Sequence, residues 1–500
     1  MQDTNGNDAV SRALCGARYV ALGALLAKVA SVACTQAVLR LAPVEVLGVA
    51  SAQLELLMNA LLCVTRDGAR LALTRGRCNE LHARTLAWTS SFLGMALALS
   101  CSVLAHVTVA ASTPYRARDA LLLYCLAAGV DALSEPLESL ARHHVLTAPR
   151  AVAEPAAALV RGAVAAGLLF YRPDLQAAAL GWAQVAASLA AGLARVASWP
   201  TNLAMTPAFA RKDLDQTLVR DALRFTGQAA VKHLATEADR FAVALLATPY
   251  EAGLYAFATH YGALVARLVL APCEDACRLA LAKCADERRA AQIGGAFAKG
   301  ALYMGLICAS IGAPFALTAT RLLKGTHAPL QDIQACGAAL AYFALQVPSL
   351  ALNGISEACA HARADPRALS YLSVAHVGCA ALFALLARPA LASAGPPGLV
   401  AASGAVMALR ALGAATLARR RAFPAAGGAF FAAAAPEPGV LLVLVGAGVI
   451  ARRSAAAAPP LMHVAVTAGL GALCVVSIFV RDRAFVASLL GPAGRRVKAE

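Results

Sequence analysis

Basic side chains stand inside long apolar stretches of this sequence, where an uncompensated charge is costly. Lys28 and Arg267 each lie in such a stretch with no acidic residue within one helical turn. A charge at the centre of a bilayer costs about 2.5–3.5 kcal/mol on insertion scales, so such groups usually face a wet cavity or one another. A cationic cavity selects an anionic solute, and arginine is suited to bidentate contact with phosphate. The pattern therefore favours an anionic ligand that carries phosphate.

A second concentration of charge lies in the apolar segment between residues 218 and 247. Its ionisable residues are Arg224, Lys232, His233, Glu237, Asp239 and Arg240. One interpretation is local: Lys232 pairs with Glu237, Glu237 pairs with Arg240, or Asp239 lies at a helix end. The other is exposure to a wet cavity. Acidic residues also occur inside two earlier segments, namely Glu55, Asp131, Glu135 and Glu138.

Motifs of enzymes and ATP-driven motors are absent from the sequence. There is no Gly-x-x-x-x-Gly-Lys-Ser/Thr, no His-Glu-x-x-His and no Gly-x-Ser-x-Gly, and the predicted loops are too short for a catalytic site outside the membrane. The fourteen cysteines include no Cys-x-x-Cys pair, so no metal site is predicted. We predict no enzymatic activity, no catalytic residue and no cofactor.

The composition identifies the kind of protein that must position these charges. The 500 residues are 60% apolar and only 14% charged, with a mean hydropathy of +0.65. Soluble domains are about 45–50% apolar and about 25% charged. The excess of 44 basic over 28 acidic residues would suggest nucleic acid in a soluble chain, but here we expect it in membrane-flanking loops. The sequence predicts a polytopic membrane protein that binds no nucleic acid.

About fourteen segments reach the roughly 20 apolar residues that a helix needs to cross a bilayer. The thirteenth is interrupted by Pro436, Glu437 and Pro438. The segments lie near residues 13–39, 45–65, 86–110, 119–141, 151–171, 176–198, 218–247, 252–280, 294–318, 333–358, 368–388, 398–418, 425–450 and 461–480. The fold class predicted is an all-α bundle of about fourteen transmembrane helices.

The loops between these segments differ in basic charge. If the N-terminus is cytosolic, the cytosolic loops and tail hold about 22 arginines and lysines, and the opposite loops hold about nine. Basic residues are retained on the cytosolic side. We therefore predict that both termini are cytosolic.

Three short motifs occur twice, in the same order and about 206–222 residues apart. Pro43-Val44-Glu45 corresponds to Pro249-Tyr250-Glu251, and Asp67-Gly-Ala-Arg70 corresponds to Asp275-Ala-Cys-Arg278. Asp131-Ala-Leu-Ser134-Glu135 corresponds to Asn353-Gly-Ile-Ser356-Glu357. Six segments separate the copies, so both halves have the same orientation, as in transporters built from parallel repeats.

This repeat predicts two parallel six-helix lobes followed by two additional helices. The predicted domains are an N-terminal lobe at 13–198, a cytosolic linker at 199–217, a C-terminal lobe at 218–419, two further helices at 425–480 and a cytosolic tail at 481–500. Such repeats are a recurring transporter architecture.

Several segments make the chain resemble the Rft family of the endoplasmic reticulum over roughly residues 15–390. Ala235 and Ala238 depart from the Leu and Gly usual in the family, and Arg278 replaces a residue that is often aromatic. The matching segments are Leu47-Gly48-Val49, Arg66-Asp67, Ser134-Glu135-Pro136, Phe225-Thr-Gly-Gln228 with Lys232, Thr236-Glu237-Ala-Asp-Arg240-Phe241, Leu264-Val-Ala-Arg267, Pro272-Cys-Glu274, Lys283 and Asn353-Gly354-Ile355-Ser356-Glu357.

The resemblance implies an exporter fold of the MATE/MurJ type, shared with the multidrug/oligosaccharidyl-lipid/polysaccharide exporters and the bacterial lipid II flippases. It also implies a role in N-glycosylation at the endoplasmic reticulum membrane. There the family is assigned to moving the mannose-five dolichyl-diphosphate oligosaccharide from the cytosolic to the luminal leaflet, by alternating access. The expected partners are this glycolipid, membrane lipid and other membrane proteins of the pathway.

Five basic residues in or beside segments of both halves are expected to form a cationic track for the diphosphate: Lys28, Arg40, Arg66, Lys232 and Arg267. A second set is expected to gate the path or support it structurally: Asp67, Arg70, Asp275, Arg278, Glu135, Glu237 and Glu357. In the gate hypothesis Asp67 pairs with Arg278, and Asp275 with Arg70. The alternative is that each Asp pairs with the Arg three residues later.

Two other functions remain open at this point. The first is a non-transporting accessory protein of the same lipid-linked oligosaccharide pathway, which would need no path for the diphosphate. The second is an ion-coupled drug exporter on the same fold, which would have an acidic rather than a basic cavity.

Overall fold

The chain is helical throughout the part that the structure describes. The computed structural model describes residue 34 and residues 36–75, 79–144, 146, 148–201, 203–206, 216–282, 284–325 and 328–490. Every regular element in these ranges is a helix. Contacts divide the chain into two compact units, Met1–Glu237 and Ala238–Glu500.

Unit 1 contains six of the described long helices. Helix α1 includes two short π-helical turns, Val49–Leu54 and Cys63–Asp67. The helices are α1 Val44–Thr74, α2 Glu80–Thr108, α3 Ala117–His143, α4 Ala148–Tyr171, α5 Ala177–Ala197 and α6 Gln216–Thr236.

Unit 2 contains the described helices α7 to α15. Helices α8 and α9 include π-helical turns at Ala266–Leu270 and Cys308–Gly312. The helices are α7 Ala238–Leu246, α8 Pro249–Leu281, α9 Glu287–Lys324, α10 Leu330–Arg363, α11 Pro366–Leu417, α12 Gly427–Ala434, α13 Pro438–Ala457, α14 Pro460–Arg481 and α15 Arg483–Leu490.

Eleven helices within the described ranges are long and apolar enough to cross a membrane. This confirms the prediction of an all-α polytopic membrane protein. The first predicted segment, 13–39, lies almost entirely outside the described residues. The seventh, 218–247, is broken at Glu237 into α6 and α7.

Side chains at the helix starts satisfy backbone N–H groups that lack a partner within the helix. Thr248 and Glu251 form a capping box at the start of α8. Asp286 accepts hydrogen bonds from the amides of Arg288 and Arg289 at the start of α9. These local signals explain why α8 and α9 begin where they do.

Helix α11 is two membrane-length arms joined at Gly395, which has φ +60° and is followed by two prolines. Gly398 packs against the carbonyl of Ala390, although residues eight apart in a straight helix are separated by about 12 Å. The chain therefore reverses at Gly395. The two arms correspond to the predicted segments 368–388 and 398–418.

The thirteenth predicted segment, 425–450, is not one helix but two, α12 and α13. Pro436 and Pro438 explain the break, because proline lacks an amide donor and obstructs the preceding helical turn. Both α12 and α13 pack against α9. A β-carbon at Gly295 would lie 2.6 Å from that of Ala433, and one at Gly448 would lie 3.0 Å from the Ser310 carbonyl oxygen.

A buried polar cluster attaches the C-terminal helices to α9. Lys299 Nζ lies 3.0 Å from Asp482 Oδ2, and the Tyr303 hydroxyl donates to the same oxygen at 2.7 Å. The Glu437 amide donates to the Tyr303 hydroxyl at 2.8 Å. Asp482 also accepts from the Phe485 amide at 3.1 Å, which caps α15. Five polar groups, two of them backbone amides, are therefore satisfied together.

In unit 1, close packing of α1 against α6 positions the polar residues described below. A β-carbon at Gly68 would lie 2.0 Å from Thr226 Oγ1, so only glycine permits this approach. Leu73, Leu140 and Leu218 belong to one buried apolar cluster beside the crossing. Burying apolar surface stabilises such a junction by about 25 cal/mol per Å².

Candidate functional site

A basic cavity of about 490 Å³ opens in unit 1 between α1, α3 and α6. One carboxylate, that of Asp67, lines it together with four basic side chains. The complete lining is Cys63, Asp67, Arg70, Leu71, Thr74, Arg142, Gln228, Ala229, Lys232, His233 and Thr236. A cavity with this excess of cationic groups suits an anionic ligand.

Helical periodicity brings these residues to the cavity. Cys63, Asp67, Arg70 and Thr74 recur every three or four residues, so they share one face of α1. Gln228, Lys232 and Thr236 share one face of α6 for the same reason. The π-helical turn at Cys63–Asp67 ends at this face, and such turns are frequent at functional sites.

Arg70 is held from behind the cavity wall by a carboxylate of α3. Its Nε and Nη2 donate to the two carboxylate oxygens of Glu135 at 2.5 and 2.6 Å. Both side chains are largely buried, and Ser139 Oγ donates to Glu135 Oε1 at 2.9 Å. Arg70 therefore does not form the local pair with Asp67 that one interpretation predicted. Asp67 instead lies 3.4 Å from Arg66.

Glu138, one turn after Glu135, joins two further arginines to this network. Arg142 Nε donates to it at 3.0 Å, and Arg195 Nε of α5 lies 3.6 Å from it. Arg195 Nη1 also donates to Ser134 Oγ at 2.6 Å. The network fixes α1, α3 and α5 around buried charges that are paired, as buried charges generally must be.

Lys232 differs from the other cations of the cavity. It is exposed, and its ammonium group has no carboxylate partner among the residues that the structure describes. Arg70 and Arg142 are neutralised by Glu135 and Glu138. Lys232 is therefore the lining cation whose charge is most available to a ligand.

Unit 2 contains a related network around Glu357 on α10. Arg410 Nη2 and His376 Nε2 each lie 3.0 Å from Glu357 Oε1, and Asn353 Nδ2 donates to the same oxygen at 2.7 Å. Glu357 belongs to the repeated motif that contains Glu135 in unit 1. Arg195 and Arg410 are 215 residues apart (410 − 195), within the range of the sequence repeat. Each unit thus connects its repeated acidic motif to an arginine of a later helix.

A groove of about 440 Å³ lies between the two arms of α11, beside the Glu357 network. Arg410 supplies a positive charge and His376 a titratable imidazole ring. The surrounding side chains are mainly apolar and include Leu372, Leu382 and Leu409. Because Glu357 already engages both polar groups, this groove is less suited to a diphosphate than the cavity of unit 1.

The remaining predicted track residues lie elsewhere or outside the described residues. Lys28 is outside them, and Arg40 is exposed at the end of a short helical stretch. Arg66 adjoins the cavity residue Asp67. Arg267 is exposed within the π-helical turn of α8 and does not line the cavity. The cavity brings together Lys232 with two predicted gate residues, Asp67 and Arg70.

The predicted gate residues of unit 2 form a local pair. Arg278 Nη1 lies 3.1 Å from Asp275 Oδ1, with both side chains exposed. Glu237 lies at the break between α6 and α7. Pairing of Asp67 with Arg278 and of Asp275 with Arg70 stays a prediction.

Sequence reasoning missed the arginines that organise these networks. Arg195 and Arg410 were not selected, nor was Arg161, which pairs with Glu55. Each is a single arginine inside an apolar span, a signal that could have identified it. Within the described ranges no group of three or more His, Cys, Asp or Glu side chains is arranged to hold a metal ion.

Comparison with known proteins identifies relatives of the chain. Residues 12–491 match the family described as Rft protein. The chain is 27% identical over 412 residues to the Man(5)GlcNAc(2)-PP-dolichol translocation protein RFT1 of Yarrowia lipolytica, covering 70% of this chain and 61% of that protein. It is 23% identical over 365 residues to the protein of the same name from Schizosaccharomyces pombe, covering 65% and 66%. The matches thus span less than two thirds of these relatives' lengths.

Solved structures show the same fold at low sequence identity. The lipid II flippase MurJ in an inward closed conformation has a TM-score of 0.69 at 12% identity, covering 93% of this chain and 99% of that one. An inward-facing MATE family multidrug resistance transporter has a TM-score of 0.63 at 12% identity, covering 80% and 94%. The MATE/MurJ-like exporter fold predicted for the chain is confirmed.

Proposed function

Because this chain belongs to the Rft protein family, we propose that it moves a dolichyl-diphosphate oligosaccharide between membrane leaflets. The proposed substrate is the mannose-five intermediate of N-glycosylation, carried from the cytosolic to the luminal leaflet of the endoplasmic reticulum membrane by alternating access. The names of the relatives support this substrate. The proposal needs a site that accepts a diphosphate while the dolichol remains in lipid.

The observation that carries the proposal is the available charge of Lys232 in the basic cavity. A diphosphate presents several strong acceptor oxygens, and hydrogen bonds to charged groups each contribute about 1.5–3 kcal/mol. Lys232 supplies a mobile ammonium donor. Arg142 is engaged by Glu138 only through Nε among the described contacts, which leaves its terminal nitrogens for a ligand.

Paired arginines strengthen the site rather than weaken it. Glu135 and Glu138 fix the orientation of Arg70 and Arg142, so a ligand does not have to order these side chains when it binds. The cavity still has a net positive charge, because Arg66 lies 3.4 Å from Asp67, its one lining carboxylate, and Lys232 has no carboxylate partner among the described residues. This balance favours a diphosphate over the cationic substrates of drug exporters.

The test is transport by the purified chain in vesicles that contain a labelled mannose-five dolichyl-diphosphate. Transport above protein-free vesicles is expected for the wild type. Lys232→Gln should reduce the rate about tenfold or more, from the loss of one charged hydrogen bond, and Lys232→Arg should retain most of it. Arg453→Gln, which removes an exposed charge of α13, serves as the matched control.

Complementation separates transport from an accessory role. Each variant is expressed in a strain that lacks the family member, and N-glycosylation and protein level are measured. We expect Lys232→Gln to fail at a normal protein level. Complementation by a wild-type chain that is inactive in vesicles would contradict the transport proposal and favour an accessory protein.

A further inference from the structure

Five exposed arginines gather at one end of unit 2. Arg288 and Arg289 lie in the first turn of α9, and Arg419, Arg420 and Arg421 form a π-helical turn after α11. We refer to these five residues as the arginine patch. Both segments are ends of membrane-length helices, so the patch lies where such helices leave the bilayer.

A hydrogen-bonded loop contact brings the two parts of the patch together. Glu287 Oε1 accepts from the amides of Ala425 and Ala426 at 2.7 and 3.0 Å. Glu287 directly precedes Arg288, and Ala425 follows Arg421 by four residues. The juxtaposition is thus fixed by side-chain-to-backbone bonds, not only by proximity in sequence.

Aromatic packing holds the same corner. The Phe423 ring stacks on that of Phe430, with centroids 5.7 Å apart, and also packs on Gly294 of α9. The Arg419 guanidinium lies over the Phe431 ring at 5.8 Å. The backbone that carries the patch is therefore anchored, while its five arginines are exposed.

The two nearby carboxylates, Asp286 and Glu287, offset only part of the charge of the five arginines. Asp286 is engaged by the amides of Arg288 and Arg289, and Glu287 by those of Ala425 and Ala426. Among the described residues none of the five guanidinium groups has a carboxylate partner. The patch thus presents concentrated positive charge that attracts anions.

We propose that the arginine patch binds the headgroups of anionic phospholipids in the adjacent leaflet. Arginine forms paired hydrogen bonds with phosphate oxygens, and clusters of basic residues beside membrane helices attract anionic lipid. The ends of α9 and α11 hold the patch at the depth where these headgroups lie. This site is in unit 2 and shares no residue with the cavity proposed for the transported glycolipid.

The inference is tested by lipid binding to the purified full-length chain in detergent. Fluorescent phosphatidylserine and fluorescent phosphatidylcholine are titrated separately, and each dissociation constant is measured by anisotropy. We expect the wild type to prefer phosphatidylserine. Replacing Arg419, Arg420 and Arg421 by Gln should abolish most of that preference, since each basic residue near a membrane surface changes affinity for anionic lipid about fivefold.

Two variants control for charge and folding. Arg452→Gln with Arg453→Gln removes adjacent exposed arginines of α13 and should leave the preference unchanged. Arg288→Gln with Arg289→Gln retains the π-helical turn after α11 and should reduce the preference independently of any misfolding of the triple variant. An unchanged preference in both patch variants, an equal loss in the α13 control, or no preference in the wild type would overturn the proposal.

Discussion

Arg70 and Glu135, 65 residues apart in the sequence, form a buried bidentate pair with contacts of 2.5 and 2.6 Å. The pair connects α1, which lines the basic cavity, to α3. The position of α1 in the cavity wall therefore depends on Glu135 compensating the buried charge of Arg70. Removing one member leaves the other in an environment that stabilises an ion poorly.

Glu135→Gln is expected to lower the free energy of unfolding by about 3–5 kcal/mol, because the buried Arg70 loses its counter-charge. Arg70→Met combined with Glu135→Leu should be less destabilised than the sum of the single changes. Chemical denaturation in detergent measures Glu135→Gln, the single variants Arg70→Met and Glu135→Leu, and the double variant. Simple additivity would show that the two side chains are not coupled. Arg172→Ala removes an exposed pair with Asp174 and should leave stability unchanged.

Gly68→Ala should separate α1 from α6, because the added β-carbon would lie 2.0 Å from Thr226 Oγ1 and 2.4 Å from the Ala222 carbonyl oxygen. Trimming Thr226 would not remove the backbone contact. We expect a loss of about 1–3 kcal/mol, typical of overpacking, and weaker transport. Gly167→Ala is the control, since no atom lies within 4 Å of its added β-carbon. Equal stability of the two variants would contradict the close approach of α1 and α6.

Gly395→Ala should strain the turn between the arms of α11. Gly395 has φ +60° and ψ −151°, a region in which residues with a β-carbon lose of order 1–3 kcal/mol. Gly413→Ala lies on the second arm in open space and should be neutral or slightly stabilising. Thermal unfolding of both purified variants measures the difference. A Gly395 variant as stable as the Gly413 variant would argue against the turn.

The Asp482 carboxyl should make the attachment of the C-terminal helices sensitive to acid. Burial tends to raise its pKa, but hydrogen bonds from Tyr303, Lys299 and the Phe485 amide together hold the pKa below its ordinary value. A lowered pKa in the folded state stabilises the protein above the unfolded-state pKa of about 3.9, and this contribution disappears as the pH falls through the folded-state value.

Asp482→Asn is therefore expected to be less stable than the wild type at neutral pH and to converge with it below about pH 4. Thermal unfolding across a pH series provides the measurement. A constant difference between the two proteins down to the lowest pH would show that Asp482 ionisation does not stabilise these helices.

Hydropathy predicted most of the described helices, because crossing a bilayer requires a long local run of apolar residues. The predicted segments 368–388 and 398–418 were also separated correctly, and Gly395 and two prolines lie between them. Hydropathy could not divide 425–450, since the prolines interrupt the helix without making the segment polar. Local charge spacing also could not identify the partner of Arg70, because Glu135 reaches it through packing of α1 against α3.

The candidate site was predicted only in part, because local sequence shows which residues are charged but not how helix packing pairs them. Lys232, Asp67 and Arg70 were selected as charged residues in or beside spans, and the cavity contains all three. That Lys232 lacks a described carboxylate partner while Arg70 is bound by Glu135 depends on helix packing. The sequence repeat indicated Glu135 and Glu357, but not that Arg195 and Arg410 would connect to the motifs that contain them.

We expect the contact between Lys299 and Asp482 to affect biosynthesis as well. The two residues are 183 positions apart, so the ribosome completes α9 long before the counter-charge of Lys299 has been made. A nascent chain that stops after α13 retains this lysine without its partner and should be degraded rapidly. Lys299→Met should extend the half-life of that truncated chain in a pulse-chase experiment, whereas the same substitution in the full-length chain leaves Asp482 uncompensated and should shorten it. The lifetime of the nascent chain would thereby depend on whether the Asp482 carboxylate, which is made late, has reached Lys299.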